Sequence, residues 1–206
     1  MADIIIKVLT PATSFAILTL AEAKTMLGIG TDTTHDAQLT QMIDWYSAYV
    51  SQIANRVFAK EKVRETWRDL QDRRVFTSHY PVMEADIESV EAPRGSLIQG
   101  LDYELEEASG KVSLFGSRAE PIVVTYTGGY VLPDEAPDDL KDATYLLVKN
   151  GYYQGLRGSV AGIRSISHKD QRVMFFDPNT QGGNMGSTEA IKAVHALLYH
   201  YSRLEV

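Results

Sequence analysis

The chain has 206 residues, is 44% hydrophobic and carries a formal net charge of -7, so it can bury one sizeable core, or one core with a small satellite. Its 20 Lys and Arg against 27 Asp and Glu exclude a protein that grips nucleic acid by neutralising phosphates, because that binding needs clustered cations. With no cysteine there is neither a disulfide framework nor thiolate chemistry, which fits the cytosol.

The N-terminal run, residues 1–11, has no basic n-region and no long apolar core, and no stretch reaches the roughly 20 apolar residues of a membrane span. A soluble chain without a signal peptide is the expectation. Thr19-Leu20-Ala21-Glu22 fits a capping box, in which the Thr hydroxyl and the Glu carboxylate satisfy helix-start amides reciprocally. It opens a short helix closed by Gly28 and Gly30. A longer helix is predicted from about Asp36 to Val57, with Leu39, Ile43, Tyr46, Val50, Ile53 and Val57 on one stripe. The two should pack as an antiparallel or angled pair.

Period-two patterning follows, with Val63, Glu65 and Trp67 on one face and Arg64, Thr66 and Arg68 on the other. Tyr80-Pro81-Val82 and residues 87–90 continue it. Tyr103 to Leu105 and Lys111 to Phe115 read as a hairpin around Ser109-Gly110. Ile122, Val123, Val124, Thr125 and Tyr126 are β-branched or aromatic, stop at Gly128 and Gly129, and predict a buried strand. A further helix starts at Pro137, with Asp138 and Asp139 at the positive end of its dipole and Leu140, Ala143, Leu147 and Val148 at helical spacing. Composition changes at Gly151. The glycine-rich residues 155–187 surround an apolar run, Val173-Met174-Phe175-Phe176, and are too long for an ordinary loop. A last helix is predicted from an N-cap at Ser187 through Ile191, Val194, Leu197, Leu198 and Tyr201.

Chemistry is hard to find in these elements. There is no Walker loop, and Gly28 and Gly30 lack the third glycine of a dinucleotide site. Ser159 stands one position early for a nucleophile elbow. The five histidines, His35, His79, His168, His195 and His200, show no paired ligand spacing. Asp134, Glu135, Asp138 and Asp139 are close in sequence, but hard cations need carboxylates converging from several directions, so solvated helix-start acids are the better reading. Trp67 and the tyrosines 46, 49, 152, 153, 199 and 201 have no basic groove between them, which favours core and interface packing over nucleic-acid stacking. No catalytic, cofactor-binding or metal-ligating residues are therefore expected. For Val173 to Phe176 two readings stay open, a strand on this chain's own sheet and an arm that pairs with an edge on another subunit.

The motif order resembles the tailed-bacteriophage head-tail connector family, the adaptor or head-completion proteins. It rests on Leu18-Thr19-Leu20-Ala21-Glu22-Ala23-Lys24 with Leu27, on Asp36-Ala37-Gln38-Leu39, and on Tyr80-Pro81-Val82 with Ile87-Glu88-Ser89-Val90. Leu101-Asp102-Tyr103, then Val123 through Tyr130, and Pro133 with Pro137-Asp138-Asp139-Leu140-Lys141 complete it. The match spans residues 18 to about 153, and beyond it the resemblance is one of outline. It implies a ring, usually a dodecamer, between the portal and a tail-side stopper or tail completion protein, with DNA passing through the channel without specific binding. No membrane and no cofactor are implied, and the family has no catalytic residues to carry over. Such a ring belongs to the virion neck and assembles in the bacterial host cytoplasm.

The expected fold is α+β and mainly helical: a helical bundle with a small inserted antiparallel sheet and an extended C-terminal arm. Residues 1–154 would form the body, with the β insertion at about 63–127, and 155–206 the arm and last helix. Partner-binding residues are expected at Val173, Met174, Phe175, Phe176, Tyr199, Tyr201 and Arg203. The alternatives are a tail terminator or tail-completion protein and, less favoured, a small metal-dependent enzyme using the carboxylates between 134 and 139.

Overall fold

The computed structural model describes residues 3–70, 72–116, 120–158, 165–168, 171–174 and 185–202, with side chains outside 157–189. The chain divides into two compact units, Met1–Phe15 with Arg56–Ala136, and Ala16–Asn55 with Pro137–Val206.

The first unit is built of strands. They are β1 (Asp3–Thr10), β2 (Glu61–Arg68), β3 (Arg74–Phe76), β4 (Ile87–Ala92), β5 (Gly95–Ser96), β6 (Tyr103–Glu106), β7 (Lys111–Leu114) and β8 (Ile122–Gly128). A five-stranded sheet has the order β1-β2-β8-β4-β5 and a three-stranded one the order β3-β7-β6, with antiparallel pairing throughout. The alternation in β2 puts Val63, Glu65 and Trp67 opposite Tyr126, Val124 and Ile122 of β8. All six are buried, because directly opposed residues share one face of a sheet. That face packs with Val75, Tyr103, Val112 and Leu114 of the smaller sheet in a single apolar cluster. The ends of the 56–136 segment are tied together: Tyr130 N donates to Phe58 O and Lys60 N to Tyr130 O, both at 2.8 Å. Gly129, at φ 104, lies so close to the Ala59 backbone that a Cβ there would collide with it.

The second unit holds α1 (Leu20–Leu27), α2 (Asp36–Ile53), α3 (Asp138–Gly158) and α4 (Met185–Leu198), together with a hairpin of β9 (Ser165–His168) and β10 (Gln171–Met174). The capping box forms as expected: Glu22 N donates to Thr19 Oγ1 at 3.1 Å, and Thr19 N to Glu22 Oε2 at 2.8 Å. Leu18, Ala23, Leu27, Leu39, Ile43, Val148 and Tyr152 form its core. Val194 and Leu198 of α4 are also buried.

Four expectations need correction. The fold is α+β, but its sheet structure is neither small nor subordinate to the helices. Part of the shortfall is β1, whose residues are exposed on both faces, so its sequence carries no alternation to read. Helix α2 stops at Ile53, with Ala54 as its C-cap and Asn55 at φ 50. The next residue, Arg56, belongs to the other unit, where its guanidinium lies 3.3 Å from the Tyr80 ring centroid and 4.6 Å from that of Phe58. Helix α3 runs on to Gly158, into the segment from 155 that was expected to be a glycine-rich arm; within it Gly151 is a contact point, where a Cβ would collide with the Tyr46 hydroxyl. Helix α4 begins at Met185, two residues before the predicted cap.

Candidate partner-binding surfaces

The residues expected to meet partners fall in separate places. Val173 and Met174 pair with Ile166 and Ser165 in the β9–β10 hairpin, so this part of the run has a strand partner in its own chain. Phe175, Phe176 and Arg203 lie outside the described residues. Tyr199, in the turn after α4, is 67% exposed and its ring meets His200 edge-on at 5.9 Å. Tyr201 is committed inward, its hydroxyl donating to Asp139 Oδ1 at 2.6 Å and tying the end of α4 to the start of α3. Of the two tyrosines, Tyr199 is the one presented to solvent.

Two apolar surfaces went unread in the sequence. On the second unit, Trp45, Tyr46, Tyr49, Leu147, Asn150 and Ile191 line an open groove of about 360 Å³, with Trp45 62% exposed. Spacing of four along α2 puts Trp45 and Tyr49 on a common face, and that was the available signal. The other surface is strand β1 of the first unit, where Ile4, Ile5, Ile6, Val8 and Leu9 are all exposed.

A polar network also lies inside the first unit. Glu65, fully buried, accepts from Trp67 Nε1 and Ser78 N at 2.9 Å each, and from the hydroxyls of Ser78 and Tyr126. Ser78 Oγ is 2.9 Å from His79 Nδ1, and His79 Nε2 is 3.0 Å from Glu61 Oε2. Serine, histidine and glutamate thus stand in the order of a hydrolase triad. A hydroxyl has one proton, however, and Ser78 gives it to Glu65, whereas a triad serine hands it to histidine. His79, Glu61, Glu65 and Tyr126 are buried, and Ser78 is half-buried. Burial, with Glu65 beside it, pushes the Tyr126 hydroxyl far above the ordinary tyrosine range. The network is structural: it satisfies groups that would be costly to bury alone.

Among the acidic residues 134–139, Glu135 and Asp139 have separate hydrogen-bond partners. Glu135 Oε2 accepts from Val131 N at 3.4 Å, whereas Asp139 Oδ1 accepts from Leu140 N at 3.0 Å and from Tyr201. Among the described residues no three His, Asp or Glu side chains gather as a metal-ligand group. At the start of α1, burial opposes ionisation of Glu22, but hydrogen bonds from Lys141 and Thr19 outweigh it and hold the carboxyl below its usual range.

Comparison with known proteins gives two concordant findings. A family model described as Head completion protein matches residues 16–161. Among solved structures, a chain from the neck of an empty GTA particle computed with C6 symmetry is similar over 98% of this chain and 97% of its own, at 15% identity and a TM-score of 0.56. A chain from the virion of the native gene transfer agent (GTA) particle has 16% identity, coverages of 98% and 96%, and a TM-score of 0.56. One from the native GTA neck computed with C12 symmetry has 13% identity, coverages of 98% and 97%, and a TM-score of 0.52. At these identities the likeness is one of fold. A search of curated proteins finds no match.

Proposed function

This chain belongs to the head completion protein family, and we propose that it works as a structural adaptor in the neck of a phage-like virion, between the portal and the tail-side stopper or tail completion protein. The family match over residues 16–161 carries the reading. The fold likeness to chains of symmetric particle necks supports assembly as a ring in the virion, and in our reading the ring is a dodecamer through which DNA passes. A net charge of -7 suits that passage, since an acidic wall repels phosphates and leaves the genome free to slide.

The portal-directed surface is assigned to the C-terminal region, Val173 to Phe176, Tyr199 and Arg203, with Tyr201 anchoring the end of α4 through Asp139 and not itself facing the partner. Tyr199 supports this by its exposure of 67%, because aromatic side chains are favoured anchors at interfaces.

The deciding experiment is electron microscopy of the purified chain mixed with portal from the same particle. A ring stacked coaxially on the portal is expected, and monomers that never associate with it would overturn the adaptor reading. Deleting residues 170–177 should leave a folded chain that no longer joins portals; undiminished joining would remove the arm from the interface.

A further inference from the structure

The five-stranded sheet treats its two edges differently. One edge strand, β5, is two residues long, Gly95–Ser96, and carries no apolar side chain, a common way to blunt an edge against pairing. The other, β1, spans the eight residues Asp3–Thr10 and pairs with β2 only, among the described strands. It holds no proline, its irregularity is confined to the far end between Val8 and Thr10, and its charged residues are Asp3 and Lys7. The usual devices that keep an edge solitary are largely missing.

Its faces are uncovered as well. Ile4, Ile6 and Val8 stand opposite Trp67, Glu65 and Val63 of β2 and therefore point to the same side of the sheet. Those β2 residues are fully buried, yet Ile4, Ile6 and Val8 are 37%, 48% and 44% exposed. The apolar core of this unit thus ends one strand short of the sheet edge. On the reverse side Ile5 and Leu9 are 48% and 41% exposed. A contiguous apolar ledge beside unpaired backbone groups marks an interaction site in a well-behaved protein.

We infer that β1 is a subunit contact, at which each protomer docks this strand on a neighbouring copy of the same chain. The inference rests on the ring reading above, and the choice of occupant follows from it. In a closed ring every protomer meets an identical neighbour through a head-to-tail contact, in which two different patches of one surface meet. A neutral apolar strand with a free edge suits such a permanent neighbour. It is poorly suited to DNA, which needs cations. The strand lies outside residues 16–161, which match the family model, so the family match does not by itself assign it a role.

The test compares the full-length chain with an Ile4→Asn, Ile6→Asn, Val8→Asn variant by mass photometry and electron microscopy, alone and with portal, over a range of concentrations. Hydrogen exchange of the β1 amides in unassembled and assembled wild-type protein runs in parallel and does not depend on the variant folding. The expected result is an unchanged melting temperature, a rise of at least about tenfold in the concentration needed for rings, and slower β1 exchange in the ring. Wild-type and variant rings forming alike, with β1 exchange unchanged on assembly, would overturn the inference and leave the adaptor reading standing. Loss of portal joining alone, with ring formation intact, would overturn it in the same way. Absence of rings from both proteins, free or on portal, would sink both readings together.

Discussion

Polar side chains are used differently in the cores of the two units. In the strand unit the buried carboxylate of Glu65 gathers the side chains of Trp67, Ser78 and Tyr126 from three separate stretches of chain. In the helical unit the buried cluster is apolar apart from the Tyr152 hydroxyl, and the ionic contacts each join two helices, buried Lys24 with Asp36 at 2.7 Å and Lys141 with Glu22 at 2.6 Å. The lesson concerns specificity. A sheet whose face alternates regularly could slip by two residues and still bury apolar groups, but only one register brings all the donors to Glu65. Helices with caps and a stripe need no such pin.

Each unit contains one of the two tryptophans, Trp67 in the strands and Trp45 in the helices, so single-tryptophan variants report on them separately. Val148→Asp puts an unpaired charge into the helical core and should cost roughly 4–5 kcal/mol, seen as early urea unfolding by Trp45 fluorescence while the Trp67 signal lags. If both signals moved together, the units would not be separable. Glu65→Ala removes the shared acceptor from the other core and should cost about 3 kcal/mol, because the donors it satisfied are left buried. Glu65→Gln should recover part of this, and an Ala variant as stable as wild type would end the account of Glu65 as a pin. Gly151→Ala sets a Cβ against the Tyr46 hydroxyl, which must shift, while Ala favours the helix by about 1 kcal/mol; the net change should stay within about 1 kcal/mol, and Tyr46→Phe should make the same substitution stabilising in a double-mutant cycle.

The smallest effects come from pH, with opposite signs. The folded-state pKa of Tyr126 is raised, so its stabilisation of the strand unit is intact below the ordinary tyrosine value of about 10 and declines as pH rises past it. That of Glu22 is lowered, so its contribution to the helical unit is present above the ordinary value of 4.5 and is lost as pH falls. Glu22 is 37% exposed at the side chain, which keeps this contribution below about 1 kcal/mol. Urea midpoints of the two tryptophan signals against pH should therefore diverge, and parallel profiles would contradict the assignment.

What was legible in the sequence was local. The Thr19–Glu22 box, the alternation of β2, the 103–115 hairpin, β8 and the start of α3 each depend on residues within a few positions of one another. What escaped depends on distant partners. That Gly151 leaves room for the Tyr46 hydroxyl cannot be seen until α2 is set against α3. Glu65 looks like any polar residue in a strand until Ser78 and Tyr126 arrive. Strand β1 has neither face covered and so no period to betray it. The candidate surfaces were legible in part: Tyr199 and Tyr201 were singled out, but that Tyr201 is turned toward Asp139 depends on another helix. The groove around Trp45 depends on three helices meeting. The family itself was readable, because motif order survives where individual contacts cannot be inferred.

The hydrogen bonds between Phe58, Lys60 and Tyr130 bear on the order of events during synthesis. Helices α1 and α2 leave the ribosome early, yet Val148 and Tyr152, which complete their core, are translated only after the whole of the strand unit. Left as a loose loop, the intervening 56–136 segment would impose a closure entropy on every attempt of α3 to find them. Once folded, it holds its own two ends in contact, and the effective loop between α2 and α3 shortens. The strand unit can thus nucleate the helical one without contributing a side chain to its core.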